Sequence, residues 1–436
     1  MRRRSSHLME WWRLVGLGAA LAGVVCLTLA ACSDITSLKQ EAPGRINAGD
    51  LETPENAPLL VASAVGDFEC ALGDYIVAAG AVGDELANAN LANRIWDFDR
   101  RTILATNPVY STESCDQGDP TVYTTLSTAR FDGDNALRLL DGWTDEQVPG
   151  RVGLIATAAA YAGYSLVLLG EGMCSAALDV GPELTPAQIL TEAEARFTRA
   201  IEAATAAADS QTLNLALLGR ARARLDLGDK TGAGADAALI PAGFVVVATY
   251  SGAKTQRENL VFTALYRDLL YTVDIPFRDV TFGGAPDPRV SVVDAGTTGA
   301  DPTIEIFQPL KYPAIESPIP VARWEEAQLI LAEADVAAGD VGGAVGIINT
   351  LHANAGIPAY AGGTPEEVTS QIIDERRREL FLEGQRLGDI IRYGLPLFPA
   401  PGTPFPVGGT ATGVYGTQVC FPLPSVERNN NPNIPD

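Results

Sequence analysis

Two stretches of the chain concentrate side chains that can act on other molecules. The first is Asp84-Glu85-Leu86-Ala87-Asn88-Ala89-Asn90, leading on to Arg94, Trp96, Asp97, Asp99 and Arg100. It places carboxylates, amides, guanidinium groups and one flat ring in a short span between helices. That mixture suits reversible recognition of polyhydroxylated rings, because an aromatic face stacks on a pyranose while planar Asp, Asn and Arg groups bond its hydroxyls in pairs. Tyr250, Tyr266, Tyr271 and Phe282 form a second aromatic group further along. Trp143 and Trp324 are assigned to packing.

The second stretch is Glu375-Arg376-Arg377-Arg378-Glu379-Leu380-Phe381-Leu382-Glu383-Gly384-Gln385-Arg386, continuing to Asp389 and Arg392. On one helix Glu375, Glu379, Glu383 and Arg386 share a face, with Arg386 three residues from both Glu383 and Asp389. Paired carboxylates can serve as general acid and base, but the arginines crowding these would hold them ionised. The favoured reading is an ion-pair network that fixes this helix against its neighbours, with Arg323, Glu333, Glu375, Arg378, Glu379, Glu383, Arg386 and Asp389 as its members.

Other chemistry finds little support, and no catalytic residue is assigned. The chain has two histidines, His7 and His352, so sites needing several imidazoles are excluded. Gly163-Tyr164-Ser165 lacks the following glycine of a nucleophile elbow, and Gly228-Asp229-Lys230-Thr231 lacks the Gly-Lys pair of a phosphate-binding loop. No CxxC pair occurs, which argues against a zinc site or a redox dithiol; no metal and no cofactor is assigned, and the sequence does not decide whether calcium binds. With 31 Lys+Arg against 54 Asp+Glu, the formal charge of −23 argues against nucleic acid as a partner.

The first 31 residues read as a lipoprotein signal peptide. Arg2, Arg3, Arg4 and Arg13 precede an apolar run over residues 14–31, and small residues lead directly to a cysteine. Leu29-Ala30-Ala31-Cys32 resembles the bacterial lipobox, which implies lipidation of Cys32 and a membrane attachment through fatty chains; a retained anchor helix is the alternative. Residues 32–56, punctuated by Pro43, Gly44, Gly49 and Pro54, read as a tether. Cys70, Cys115, Cys174 and Cys420 remain in the body, which allows two disulfides in any of three connectivities, or buried free thiols.

The body, residues 57–436, reads as mostly α. Hydrophobic residues make up 47% of the chain, enough for a large core. Apolar positions recur at helical spacing over residues 58–79, 121–140, 151–169, 186–207, 212–227, 232–239, 323–338, 342–354 and 365–393. Strand-like runs are few, residues 244–249 among them. Ala193, Phe197 and Ala200 stand at i, i+4 and i+7, and the same face recurs as Ala344, Ile348 and Leu351, with Ala327, Leu331 and Ala334 as a matching stripe. The turns Leu227-Gly228-Asp229 and Ala338-Gly339-Asp340 join such segments. Small residues at helix crossings, repeated in pairs, resemble a tetratricopeptide-like scaffold. A long stretch rich in Gly, Pro and aromatics, residues 240–322, interrupts it as a loop-rich insertion.

At the C-terminus the residues resemble a known family. Arg323-Trp324-Glu325-Glu326-Ala327-Gln328-Leu329-Ile330-Leu331-Ala332-Glu333-Ala334, the segment 375–386, and Pro422-Leu423-Pro424 with Glu427 and Asn431-Pro432-Asn433 are similar to SusD/RagB-like outer-membrane lipoproteins. Weaker echoes are Asp287-Pro288-Arg289, Lys311-Tyr312, and Tyr123 with Leu126 and Ala129. The likeness divides the body into an N-terminal part, 57–310, and a C-terminal part, 311–436. It implies a surface-exposed lid over a SusC-like TonB-dependent transporter that captures glycans, peptides or other nutrient oligomers without covalent chemistry. It also implies ligand contact around residues 84–100. A helical-repeat scaffold for envelope assembly is the alternative, and the long insertion, which a pure scaffold does not need, separates the two.

Overall fold

The computed structural model describes residues 48–115, 119–408 and 412–435. The leader, the lipobox with Cys32 and most of the tether lie outside the described residues. The chain divides into residues 1–51 and 52–436. Of the first unit, one helical turn is described, Ala48–Leu51.

The second unit is mostly α, as the periodicity predicts. Its longer helices are α1 (Ala57–Val82), α2 (Tyr123–Gly142), α3 (Arg151–Gly172), α4 (Pro186–Ala206), α5 (Ser210–Asp226), α6 (Lys230–Ala237), α7 (Trp324–Ala338), α8 (Val341–Ala355), α9 (Pro365–Glu379), α10 (Arg386–Tyr393) and α11 (Ser425–Asn430). The strands are short and pair antiparallel in twos. β1 (Leu86–Asn88) joins β3 (Tyr271–Val273), β2 (Val245–Ala248) joins β6 (Ile319–Arg323), and β4 (Val292–Thr298) joins β5 (Glu305–Pro309). The β2–β6 pair closes the base of the insertion, so the excursion leaves and re-enters the helical body at one place.

Helix α3 is long and apolar enough to cross a membrane, yet here it is the central core helix, packed by α1, α2, α4 and α5. What lets these helices close up is small residues around one large ring. Ala193, Phe197 and Ala200 are fully buried on α4, and the Phe197 ring meets Tyr164 edge-on at 5.0 Å. Gly163 of α3 lies so close that a Cβ there would come within 2.8 Å of the ring, and a Cβ on Gly219 of α5 would overlap it. The stripe Ala327, Leu331 and Ala334 serves α7 similarly, since a Cβ on Gly234 of α6 would sit 2.6 Å from the Ala334 methyl.

The pair turns share one chemistry. Gly228 (φ 84°) and Gly339 (φ 86°) take the left-handed conformation that ends a helix without a Cβ penalty. Asp229 and Asp340 then cap the next helix by accepting from the backbone N–H of Gly232 and Gly343. Capping boxes, Thr185 with Gln188 and Thr364 with Glu367, start α4 and α9.

One expectation is corrected. Residues 365–393 do not form one helix: α9 stops at Glu379, the chain turns through Leu382 (φ 53°) and Gly384 (φ 77°), and α10 starts at Arg386. The turn drives Leu380, Phe381 and Leu382 into the core, where a straight helix would have spread them around its surface. Of the three connectivities, the disulfides are Cys70–Cys115 and Cys174–Cys420. The second holds the C-terminal segment against the end of α3, where Phe421 donates to Gly172 O (2.9 Å) and packs on Phe98 and Tyr110.

Candidate functional site

Residues 84–100 follow α1 and run across the end of the helical body. The structure separates their expected ligand groups into two sets. Asp84 is buried, and its two oxygens accept from Arg386 Nε and Nη2 at 2.7 Å each. Asn88 is buried in β1; its N–H donates to Asp99 Oδ2 (2.7 Å), and its side-chain oxygen accepts from Asn90 N (2.9 Å). Asp97 is buried and holds Arg100 Nη2 at 2.7 Å. These three acids and one amide are buried and engaged within the structure.

Two of the later aromatics are buried as well. Tyr271 is fully buried in β3, and Tyr250 is buried with its hydroxyl donating to Glu69 O (2.9 Å). Tyr266 stacks on Phe262 at 5.2 Å, with its hydroxyl bonded to Pro309 O. Phe282 meets His352 edge-on at 4.4 Å, with the Arg378 guanidinium over its ring. Burial and ring pairing use the faces that were expected to meet sugar. Tyr271 lies opposite Asn88 in the β1–β3 ladder, against the 84–100 loop.

The residues left nearer the surface are Asn90, Arg94, Trp96 and Arg100. Asn90 folds the loop tightly: its side-chain oxygen accepts from Ala92 N (2.8 Å) and its carbonyl accepts from Trp96 Nε1 (2.7 Å). The half-buried Trp96 ring leans on Phe405, 6.0 Å away, in a small apolar cluster with Val407, Tyr415 and Ile304. Arg100 ties in the same C-terminal loop by donating to Thr412 O (2.6 Å). Arg94 is half-exposed and donates to Asp119 Oδ2 at 2.5 Å; Leu91 and Asn93 beside it are exposed. Sequence reading missed Asp119 and the loop bearing Phe405 and Tyr415, which are distant in the chain. The adjacent Arg101 was a usable signal. Fully buried at φ 57°, it donates to the carbonyls of Phe398 and Pro399 and lies over Tyr415.

The second stretch forms a dense ion-pair network. Arg323 bridges Glu379 (2.7 Å) and Glu383 (3.1 Å), and Lys311 also holds Glu383 (2.6 Å). Arg289 reaches Glu375 (2.6 Å), Arg378 reaches Asp374 and Asp287, and Arg392 joins Glu333 to Asp389. Burial pushes Glu383 and Asp389 upward, but Arg323 with Lys311, and Arg376 with Arg392, outweigh it and hold both below the usual carboxylate range. Arg386 pairs with Asp84 rather than with Glu383. His352 is buried between Pro358 O and Glu375 Oε1, each 2.7 Å from a ring nitrogen, which makes it a bridge within the network.

Three acids near the loop behave differently. Burial, the leading cause, pushes Glu85 and Asp74 up to about 8 and Asp99 to about 7. Their folded values lie above their unfolded ones, so they stabilise the fold below about pH 4, and that contribution is lost as pH rises to about 8. Stability is therefore expected to fall between pH 5 and pH 9. Glu85→Gln should flatten the slope and raise stability at pH 9 by roughly 2 kcal/mol, with little change at pH 4. Urea titrations across that range check this, and an unchanged slope in the variant refutes it.

The arrangement is a scaffold of paired helices with a stapled loop cluster at one end and a long insertion. Both sequence and fold show a SusD/RagB-like resemblance. Residues 311–421 match the SusD family. The starch-binding protein SusD of Bacteroides thetaiotaomicron is 34% identical over 124 residues, which cover 27% of this chain and 21% of that protein's length. Solved structures extend the likeness in fold to nearly the whole chain. A SusD superfamily protein from Parabacteroides distasonis superposes with a TM-score of 0.66 at 14% identity, covering 90% of this chain and 99% of that one. One from Bacteroides vulgatus gives 0.65 at 17%, covering 88% and 98%. A SusD-like carbohydrate binding protein from the same organism gives 0.61 at 18%, covering 81% and 86%.

Proposed function

We propose that this chain is a lipid-anchored outer-membrane binding protein. It captures glycans or other nutrient oligomers reversibly and delivers them to a SusC-like TonB-dependent transporter. The observation that carries the reading is the match of residues 311–421 to the SusD family on a body that has the SusD-like fold throughout. The relative matched in sequence is a starch-binding protein, which supports an oligosaccharide as ligand. Anchoring through Cys32 follows from the lipobox, and with it a place at the cell surface. The division of labour follows the two parts of the body: residues 57–310 supply the recognition loops and residues 311–436 lock them in place.

The contact surface we assign is the rim of the 84–100 loop, where Asn90, Arg94, Trp96 and Arg100 present an indole edge, an amide and guanidinium groups. Arg94, its side chain 52% exposed, keeps guanidinium N–H donors in reach of ligand hydroxyls while it holds the buried Asp119 carboxylate. Trp96 packs on Phe405, so its removal disturbs the loop as well as the surface, which makes Arg94 the better probe. In native gels cast with soluble polysaccharide, Arg94→Ala should weaken retention about tenfold. Its melting temperature should fall, because the buried Asp119 loses its cation, so retention is compared well below the melting transition and alongside Arg94→Lys, which keeps a cation there. Full retention of Arg94→Ala in a gel that retards the wild type refutes the assignment of this rim.

A further inference from the structure

We propose that the ridge at Phe131 is a second carbohydrate subsite, shaped for a neutral oligosaccharide and built entirely outside the 84–100 loop. The inference takes its ligand class from the proposed function, while its residues are independent of that reading. Phe131 stands on α2, 50% exposed, between two clefts of about 470 and 550 Å³. An exposed ring flanked by open grooves is apolar surface waiting for a flat partner, and the C–H face of a pyranose is such a partner.

The first cleft is lined by planar polar groups whose charges are already matched. Arg196 holds Asp134 (2.7 Å), Arg199 holds Asp141 (2.5 Å) and Arg130 holds Asp179 (2.9 Å), while Arg138 donates to Asn135 Oδ1 (2.7 Å). With every guanidinium paired, little charge remains to select an ion. Each pair still has unused N–H and lone-pair positions, the arrangement that bonds neighbouring hydroxyls.

A second observation points to a ligand independently. The Arg130 side chain is 4% exposed and lines both clefts, and its Nε has no hydrogen-bond partner among the described residues. The guanidinium lies 5.9 Å from the Phe131 ring, and its covered, unpaired Nε–H is a cost that a ligand hydroxyl relieves once the side chains over it shift. The second cleft continues the track with the hydroxyls of Ser127 and Thr128, the Asn430 amide and the exposed Val180 and Val426. A ligand that uses both sides of Phe131 is a chain of sugars rather than a single ring.

The test uses the full-length protein in detergent, run in native gels cast with amylopectin, xyloglucan or galactomannan. Whichever polysaccharide retards the wild type, Phe131→Ala should weaken the apparent affinity about tenfold. Arg138→Ala, at a position 65% exposed, should weaken it several-fold, and both variants should melt as the wild type does. Combining Phe131→Ala with Arg94→Ala should cost more than either alone. If the wild type is retarded and the Phe131 and Arg138 variants are retarded equally, the subsite is overturned while the proposed function stands. If no polysaccharide retards the wild type, the glycan reading falls and the subsite with it. If Phe131→Ala keeps full retention but loses a co-purifying protein, the ridge is a protein interface and the inference is overturned.

Discussion

Arg386→Ala should lower the stability of the folded chain by about 3–5 kcal/mol, seen as a shift of the urea midpoint at constant slope. The guanidinium and the Asp84 carboxylate are both largely buried and joined by two 2.7 Å bonds. Removing the cation leaves Asp84 without its neutralising partner next to Glu85 and Asp274, two further buried acids that already feel its charge. The loss is thus an uncompensated buried charge, which costs far more than one missing contact. Arg386→Lys should recover only part of it, because an ammonium cannot match the carboxylate with two parallel N–H donors. Ligand affinity of the folded fraction should be unchanged. A loss below 1 kcal/mol, or a selective loss of binding, contradicts the structural role.

The second large effect is expected at Phe197, whose replacement by alanine should cost about 3–5 kcal/mol. The ring fills the space where α3, α4 and α5 meet, and glycines on both partner helices fix the gap at the thickness of one phenyl group. Gly219→Ala should also destabilise, through overlap with the ring rather than through an empty space. In the double variant Phe197→Leu/Gly219→Ala, the penalties should sum to less than the two single penalties, since the smaller side chain makes room for the new methyl. Thermal melts of the four proteins check this, and strict additivity argues against the interlocked packing.

These two sites show what was legible in the sequence and what was not. The Ala193–Phe197–Ala200 face announces itself by spacing alone, because helical periodicity is a local property and glycines nearby permit close crossing. The Gly-Asp turns are legible for the same reason: Gly228 and Asp229 each do a backbone job decided within three residues. The interruption after Glu379 was hidden, since residues 375–386 are strong helix formers with favourable charge spacing; only Gly384 hinted at it. The partner of Arg386 was out of reach, as Asp84 lies 302 positions away and nothing local marks it. The same limit applies to the candidate site. Residue type identified groups able to bond a sugar, but Asp84, Asn88, Asp97 and Asp99 use those same capabilities to hold their own loop. Burial, which decides between the two uses, is settled by residues such as Phe405 and Tyr415 that come late in the chain.

The covalent link from Cys174 to Cys420 spans 246 positions, so α4 to α10 and the whole insertion lie inside one closed ring of chain. A protease that nicks an exposed loop anywhere in that ring opens it without releasing a fragment. The molecule can be scarred by a hostile medium and still remain in one piece.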